Sequence, residues 1–177
     1  VILAAGMGSR IASLGAPAKP LVRLGRHTLA YHVIQTISEG ADIDRFIVVL
    51  GHGSDLVGRH FAEVGRGLGV AVDFVIARDW RLGNGASCLS ARTSVGDRNF
   101  LLSMTDHLLD PSLVSDLAAA PVPEGGLCLA VDFDKDGVFD LEDVTRVKID
   151  ETGAIAAIGK MMEPWDGPAA IAFTDGK

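Results

Sequence analysis

The chain has little cysteine: only Cys88 and Cys128 occur in 177 residues, in separate apolar segments and without a Cys-x-x-Cys or Cys/His metal spacing. That leaves no paired-cysteine metal or redox site, and a reducing, cytoplasmic setting is the default expectation. No apolar run approaches the ~20 residues that span a bilayer, although 48% of the residues are hydrophobic. An excess of positive charge is also missing. The net charge is −7, which argues against nucleic acid as a partner, because such binding rests on clustered Lys and Arg facing phosphate. Internal repeats, low-complexity segments and a signal peptide are not found. Met is not the first residue; Val1 is, and it lies inside an apolar strand, so further chain is expected upstream. The length suits one domain spanning 1–177, large enough to bury a core without covalent staples.

Two familiar glycine loops are missing as well. A dinucleotide fingerprint needs a third glycine where this chain has Ile11, and no Gly-Lys-Ser/Thr run is present for a Walker loop. What is present is Leu3-Ala4-Ala5-Gly6-Met7-Gly8-Ser9-Arg10, with Lys19-Pro20-Leu21 after it. Gly6 and Gly8 remove side chains that would keep a phosphate from the backbone, and successive N–H groups in such a turn form an anion-binding nest. Arg10 adds a planar fork for phosphate oxygens, and Lys19 adds a point charge on a flexible stem. This combination asks for a polyphosphate.

Along the chain, the apolar spacing of Leu29, Val33 and Ile37 predicts a helix over 27–39, with Gly40 where it would stop. Phe46 to Leu50 is a continuous apolar run, as expected for a parallel strand covered on both faces. Ser54 is placed to cap a second helix carrying Leu56, Val57, His60, Phe61 and Val64 on one face, and 70–77 is predicted as the next strand. Gly83-Asn84-Gly85 leads into a short helix reaching Arg92. Further strands are predicted over 100–104, 127–131, 144–149 and 154–158, and Asp110-Pro111 predicts a capped helix start. Alternating strands and helices imply a mainly parallel sheet, whose ligands collect beyond the carboxyl ends of the strands. The Gly6 loop, Gly51-His52-Gly53, Gly83-Asn84-Gly85 and Asp106-His107 are then expected around one crevice.

Asp106, just past a strand, is the candidate ligand for Mg²⁺, the hard cation that nucleotide phosphates require; capping of the following turn is its plainer role. His107 and His52 are expected to be hydrogen-bonded neighbours of a ligand, and His27, His32 and His60 structural or surface residues. Asp132 to Asp140, with Asp143 twelfth, matches much of a calcium-loop spacing. Its twelfth residue is Asp and its flanks are strand-like, so an acidic turn is favoured over a calcium site.

Gly-x-Gly-x-x-Arg followed by Lys-Pro-Leu resembles the signature of nucleotidyltransferases that act on sugar phosphates and phosphorylated alcohols. Trp80 to Ser87, Met104-Thr105-Asp106-His107, Asp140 to Val147 and Ile158-Gly159-Lys160 resemble the inositol-phosphate cytidylyltransferase branch of that superfamily. The resemblance implies an α/β, Rossmann-like three-layer sandwich with a mainly parallel, mixed sheet. It implies Mg²⁺-dependent transfer of CMP from CTP to inositol 1-phosphate or another phosphorylated polyol, alcohol or sugar, with release of pyrophosphate. Carried onto this chain, Leu3, Ala4, Ala5, Gly6, Met7 and Gly8 would line the nucleotide, while Arg10 and Lys19 would hold its triphosphate. Gly85 and Ser87 would approach the base, Asp106 would hold Mg²⁺, and Lys160 would meet the acceptor phosphate. The family usually places a second metal-binding Asp where this chain has Ala169, with Asp166 and Asp175 nearby. The family's later helices are not in the sequence, so a domain cut at both ends is expected. Alternative readings are a sugar-1-phosphate nucleotidyltransferase using another nucleoside triphosphate, an inactive nucleotide-binding regulator, and a calcium-stabilised module; self-association into a homodimer stays open.

Overall fold

Strand β1 (Ile2–Ala4) lies at the centre of the first of two compact units, Val1–Ala120, and all three of its residues are buried. The structure is a computed structural model, and it describes residues 1–8, 15–43, 45–134, 144–162 and 167–170. After β1 come the hairpin strands β2 (Arg23–Leu24) and β3 (His27–Thr28), helix α1 (Leu29–Gly40), β4 (Arg45–Leu50), α2 (Ser54–Leu68) and β5 (Ala71–Ile76). Two short helices, α3 (Asn84–Ser90) and α4 (Arg92–Val95), then lead to β6 (Ser103–Met104) and α5 (Pro111–Ala119).

The main sheet has the order β5-β4-β1-β6, and its pairs are parallel, with Ile2 opposite Val48 and Ser103 and Leu3 opposite Met104. Strand side chains alternate between faces, so β1 and β4 feed two cores. Ile2, Ala4, Phe46, Val48 and Leu50 pack with Val33, Ile34 and Ile37 of α1, Val57 and Phe61 of α2 and Val114 of α5. Leu3, Ala5, Ile47 and Val49 pack on the other face with Ala91 and Val95. This is the expected α/β three-layer arrangement. Fully burying side chains such as Phe46 and Phe61 contributes about 1.5–3 kcal/mol each.

The local causes differ from expectation in several places. His27 and Thr28 belong to the hairpin, not to α1; Thr28 is the N-cap, its hydroxyl oxygen accepting from the Tyr31 N–H at 3.3 Å. Gly40 does not stop α1 by a left-handed turn. It lets α5 approach, since a Cβ there would lie 2.4 Å from the Pro111 carbonyl oxygen. The cap of α2 is Gly53, with φ 65°, and not Ser54, because the turn after β4 needs the left-handed conformation that glycine adopts freely. Leu56 of that helix is exposed, whereas His60 is half-buried with Nε2 2.7 Å from the Thr28 hydroxyl. Strand β6 is shorter than the predicted 100–104, as β1 pairs only with its last two residues. Asp110 caps α5 as expected, its carboxylate accepting from the Ser112 N–H at 2.8 Å.

The second unit, Pro121–Lys177, contains β7 (Val131–Asp132), β8 (Arg146–Ile149), β9 (Ile155–Gly159) and β10 (Ala169–Ala170) in an antiparallel sheet ordered β7-β10-β8-β9. Val147 is fully buried there. The β8–β9 turn is tied by Asp150, whose carboxylate accepts from Thr152 N–H at 2.9 Å, the Thr152 hydroxyl at 2.6 Å and Ala154 N–H at 3.0 Å. Strand β7 begins at Val131 and not at the predicted Leu127; among the described residues its pairing with β10 covers Val131 and Asp132. The Asp132 carboxylate accepts from the Asp134 N–H at 2.8 Å. The rest of the acidic segment, 135–143, lies outside the described residues.

Candidate functional site

Parallel strands place the segments that follow them along one edge of the sheet. At that edge of the first unit lie the loop after β1, the turn after β4, the 77–83 segment after β5 and the turn after β6. Leu3, Ala4 and Ala5 are buried, so only their backbone faces this edge's loop; Gly6 and Met7 are exposed. The two loop glycines have different reasons. A Cβ on Gly6 would meet nothing within 4 Å, which leaves that backbone open to a ligand. Gly8 has φ 63°, and a Cβ on it would lie 2.7 Å from Cβ of Lys19. Only glycine lets the loop pass this close to the returning chain.

Lys19 begins a short 3₁₀ turn, Lys19–Leu21, anchored by buried Pro20 and closed by Leu21 N–H to the Ala18 carbonyl at 3.0 Å. Its ammonium donates to the Asp106 carboxylate. Asp106 is positioned by the backbone on either side of it: Thr105 N–H donates to the Leu3 carbonyl at 3.4 Å, and His107 N–H to the Met104 carbonyl at 3.1 Å. Both side chains of the ion pair keep contact with solvent, at 28% and 35% exposure. Burial pushes the His107 imidazole below its ordinary 6.5; the Asp106 charge opposes this and the Lys19 charge adds to it. His107 Nδ1 is buried and has no hydrogen-bond partner among the described residues.

Beside the loop, His52 N–H donates to the Ala5 carbonyl at 2.9 Å. The His52 ring stands 6.0 Å from that of Trp80, over which the Arg81 guanidinium lies at 4.8 Å. This aromatic and cationic cluster was not expected from the sequence. Its signal was Gly51, directly after a buried strand, where a Cβ would lie 2.8 Å from Cγ of Trp80. Gly83 precedes α3 with φ 106°, a conformation few other residues adopt. Ser87 is buried and its hydroxyl donates to the Gly83 carbonyl at 3.2 Å, while the Asn84 amide points to Sδ of Met104 at 3.3 Å. Gly85 is exposed, with open space where a Cβ would be.

The structure thus brings Gly8, Lys19 and Asp106 together, and joins Asn84 to the segment carrying Asp106 through Met104. Lys160 follows β9 in the second unit and is half-buried. Ala169 lies in β10 opposite Asp132 and Arg146. Arg10, Asp166 and Asp175 lie outside the described residues. Among the described residues no group of three or more His, Cys, Asp or Glu side chains is placed to hold a metal ion. Asp106 alone suits Mg²⁺ only in its usual mode of binding, through one or two carboxylates with phosphate oxygens and water completing the shell. Its carboxylate already faces a cation, the Lys19 ammonium, so the donor chemistry fits such a shared site.

Comparison with known proteins gives this geometry a setting. The chain is 35% identical over 172 residues to a "Bifunctional IPC transferase and DIPP synthase" of Rubrobacter xylanophilus, covering 97% of this chain and 37% of that protein. It is 31% identical over 121 residues to the "Bifunctional protein GlmU" of Corynebacterium jeikeium, covering 67% of this chain and 24% of that one. The chain therefore spans well under half of the length of these relatives, 37% of one and 24% of the other. Among solved structures, the inositol-1-phosphate CTP transferase from T. maritima superposes with a TM-score of 0.78 at 23% identity, over 98% of this chain and 68% of that one. A UDP-glucose pyrophosphorylase complexed with UDP-glucose gives 0.70 at 15% identity, over 98% and 73%. At these identities the superpositions speak for the fold alone. A model of class-II glutamine amidotransferases matches only residues 155–177. The model of the MobA-like NTP transferase domain matches residues 1–140, a stretch that includes the glycine loop, Lys19 and Asp106, and the chain belongs to that family.

Proposed function

We propose that the chain transfers CMP from CTP to a phosphorylated polyol or alcohol, of which inositol 1-phosphate is the leading case, and releases pyrophosphate. The observation that carries this is the pairing of Lys19 with Asp106 beside a loop that Gly8 alone allows so close to Lys19. That arrangement offers open backbone at Gly6, a mobile ammonium and a carboxylate within one small region, the three elements a nucleoside triphosphate needs. The name of one structural neighbour, an inositol-1-phosphate CTP transferase, points the same way.

In this reading a phosphate oxygen of the acceptor attacks the α-phosphorus of CTP in line. A new P–O bond forms as the bond from the α-phosphorus to the bridging oxygen breaks, and pyrophosphate leaves with that electron pair. Lys19, with Arg10, offsets the charge gathering on the leaving phosphates; the acceptor phosphate is assigned to Lys160 by the family resemblance alone. Bound at Asp106, Mg²⁺ would supply further neutralisation of phosphate charge. Two unjoined cysteines, Cys88 and Cys128, suit a reducing cytoplasm as the place of reaction. Among the described residues no helix is long and apolar enough to cross a membrane.

The test is release of pyrophosphate by the purified chain given CTP, Mg²⁺ and a panel of phosphorylated polyols, alcohols and sugars. Release with at least one acceptor is expected. A second reading, a nucleotide-binding homologue without turnover, is favoured by Ala169 standing where the family resemblance expects a carboxylate. Thermal stabilisation by CTP with Mg²⁺ but no pyrophosphate with any acceptor would select it.

A further inference from the structure

The relation between Lys19 and Asp106 carries a consequence for the order in which ligands enter. Both backbones are fixed. Lys19 is held in its 3₁₀ turn by buried Pro20 and by Val22 N–H donating to its carbonyl at 3.1 Å, and Asp106 sits in the turn closed by His107 N–H on the Met104 carbonyl. Of the two side chains, the lysine stem, with its four methylene carbons, has the longer reach and the greater freedom to move. Among the described residues no other cation lies within ion-pair distance of Asp106.

We propose that Lys19 serves as the built-in counter-ion of Asp106 and competes there with a divalent cation, so that metal is admitted only when nucleotide phosphates draw the lysine away. This rests on the nucleotide reading of the site. A single carboxylate is a weak ligand for Mg²⁺, and an ammonium seated on it both occupies its oxygens and repels a dication. When a triphosphate arrives, the ammonium has a more highly charged partner, and the phosphate oxygens supply the ligands that the protein lacks. Lys19 thereby couples the two ligands: it disfavours metal alone and favours metal with nucleotide. By linkage, the same coupling must act on nucleotide affinity.

The experiment measures Mn²⁺ binding to the nucleotide-free chain by electron paramagnetic resonance, using wild type, Lys19→Met, Lys19→Gln and the Lys19→Met/Asp106→Asn double variant. The two single variants are expected to bind Mn²⁺ roughly three- to tenfold more tightly than wild type, from loss of a nearby like charge. The double variant should lose that gain. Wild type binding Mn²⁺ as tightly as both single variants, or a gain that survives Asp106→Asn, would overturn the proposal. Thermal melting reports whether each variant is folded, and agreement between the Met and Gln replacements guards against a local packing effect. Melting of wild type with CTP and Mg²⁺ is measured separately. If that shows no stabilisation the nucleotide reading fails, while the Mn²⁺ series still decides the competition between Lys19 and metal.

Discussion

Gly51 lies so close to Ala5 that a Cβ on it would sit 2.7 Å from the Ala5 carbonyl oxygen. The same carbonyl accepts the His52 N–H at 2.9 Å. The turn after β4 therefore holds the end of β1, and with it the start of the glycine loop. Gly51→Ala must displace that loop or Trp80, and overpacking of this kind costs about 1–3 kcal/mol. The expected outcome is a lower melting temperature together with weaker CTP binding. Gly67→Ala is the control: it lies inside α2 with open space around its Cβ position. That change should stabilise by up to about 1 kcal/mol and leave CTP binding as it was. Equal effects of the two changes in a melting series would contradict this view of Gly51.

Lys19→Ala is expected to lower kcat/KM by about 10²-fold or more, the usual scale for removing one group that stabilises transition-state charge. His107→Ala should cost about tenfold or less, because its Nδ1 has no hydrogen-bond partner and its ring borders the ion pair without replacing either member. Steady-state pyrophosphate release by the two variants checks the ranking. Comparable losses would mean that His107 takes part in proton transfer or in holding substrate.

Much of the first unit was legible in the sequence because its signals are strong. The apolar run at Phe46 to Leu50 and the apolar spacing of Leu29, Val33 and Ile37 give β4 and α1 directly; Val33 and Ile37 are buried in the first core, and β4 is shared between both cores. What was not legible depends on partners distant in sequence. Gly40 matters through Pro111 and Gly51 through Ala5 and Trp80, and neither contact leaves a local pattern. Strand β6 is only two residues long, so its start follows the neighbouring β1 and not its own composition. At the site, the sequence singles out Lys19 and Asp106 separately, as an expected phosphate residue and an expected metal residue. Their direct pairing was not legible, since 87 residues of sequence separate them.

Stability should fall on mild acidification. Burial lowers the imidazole pKa of both His60 and His107 from 6.5, with Glu63 opposing the effect at His60. In the unfolded chain these side chains take up protons as pH drops through 6.5, while in the folded chain they resist until a lower pH. Stability is thus lost from about pH 6.5 downward, toward the folded values. His60 also touches the Thr28 hydroxyl that caps α1. Asp110 and Asp150, held below 3.8 by hydrogen bonds led by Ser112 and Thr152, act only in a separate, more acidic window. Melting curves between about pH 5 and 8 should show this decline, and His60→Gln should reduce its slope. A flat profile for wild type would refute the argument.

The last prediction concerns the base. Ser87 is buried with its hydroxyl committed to the Gly83 carbonyl, and the Asn84 amide is turned to Met104, so the surface left for a base is the exposed backbone at Gly85. Open space at the Gly85 Cβ position means that an added methyl group meets no protein atom within 4 Å. Gly85→Ala is therefore compatible with the fold and removes a flexible residue from α3, so the melting temperature should hold or rise. If the pyrimidine lies against this backbone, the methyl group enters its place, and CTP affinity should drop about tenfold or more by the arithmetic of one lost close contact. Wild type should rank CTP first, UTP next, and ATP and GTP well behind in a competition binding assay with all four triphosphates. An unchanged CTP affinity in Gly85→Ala would move the base elsewhere in the site, and purines binding as tightly as CTP would end the cytidylyl assignment while leaving nucleotidyl transfer intact.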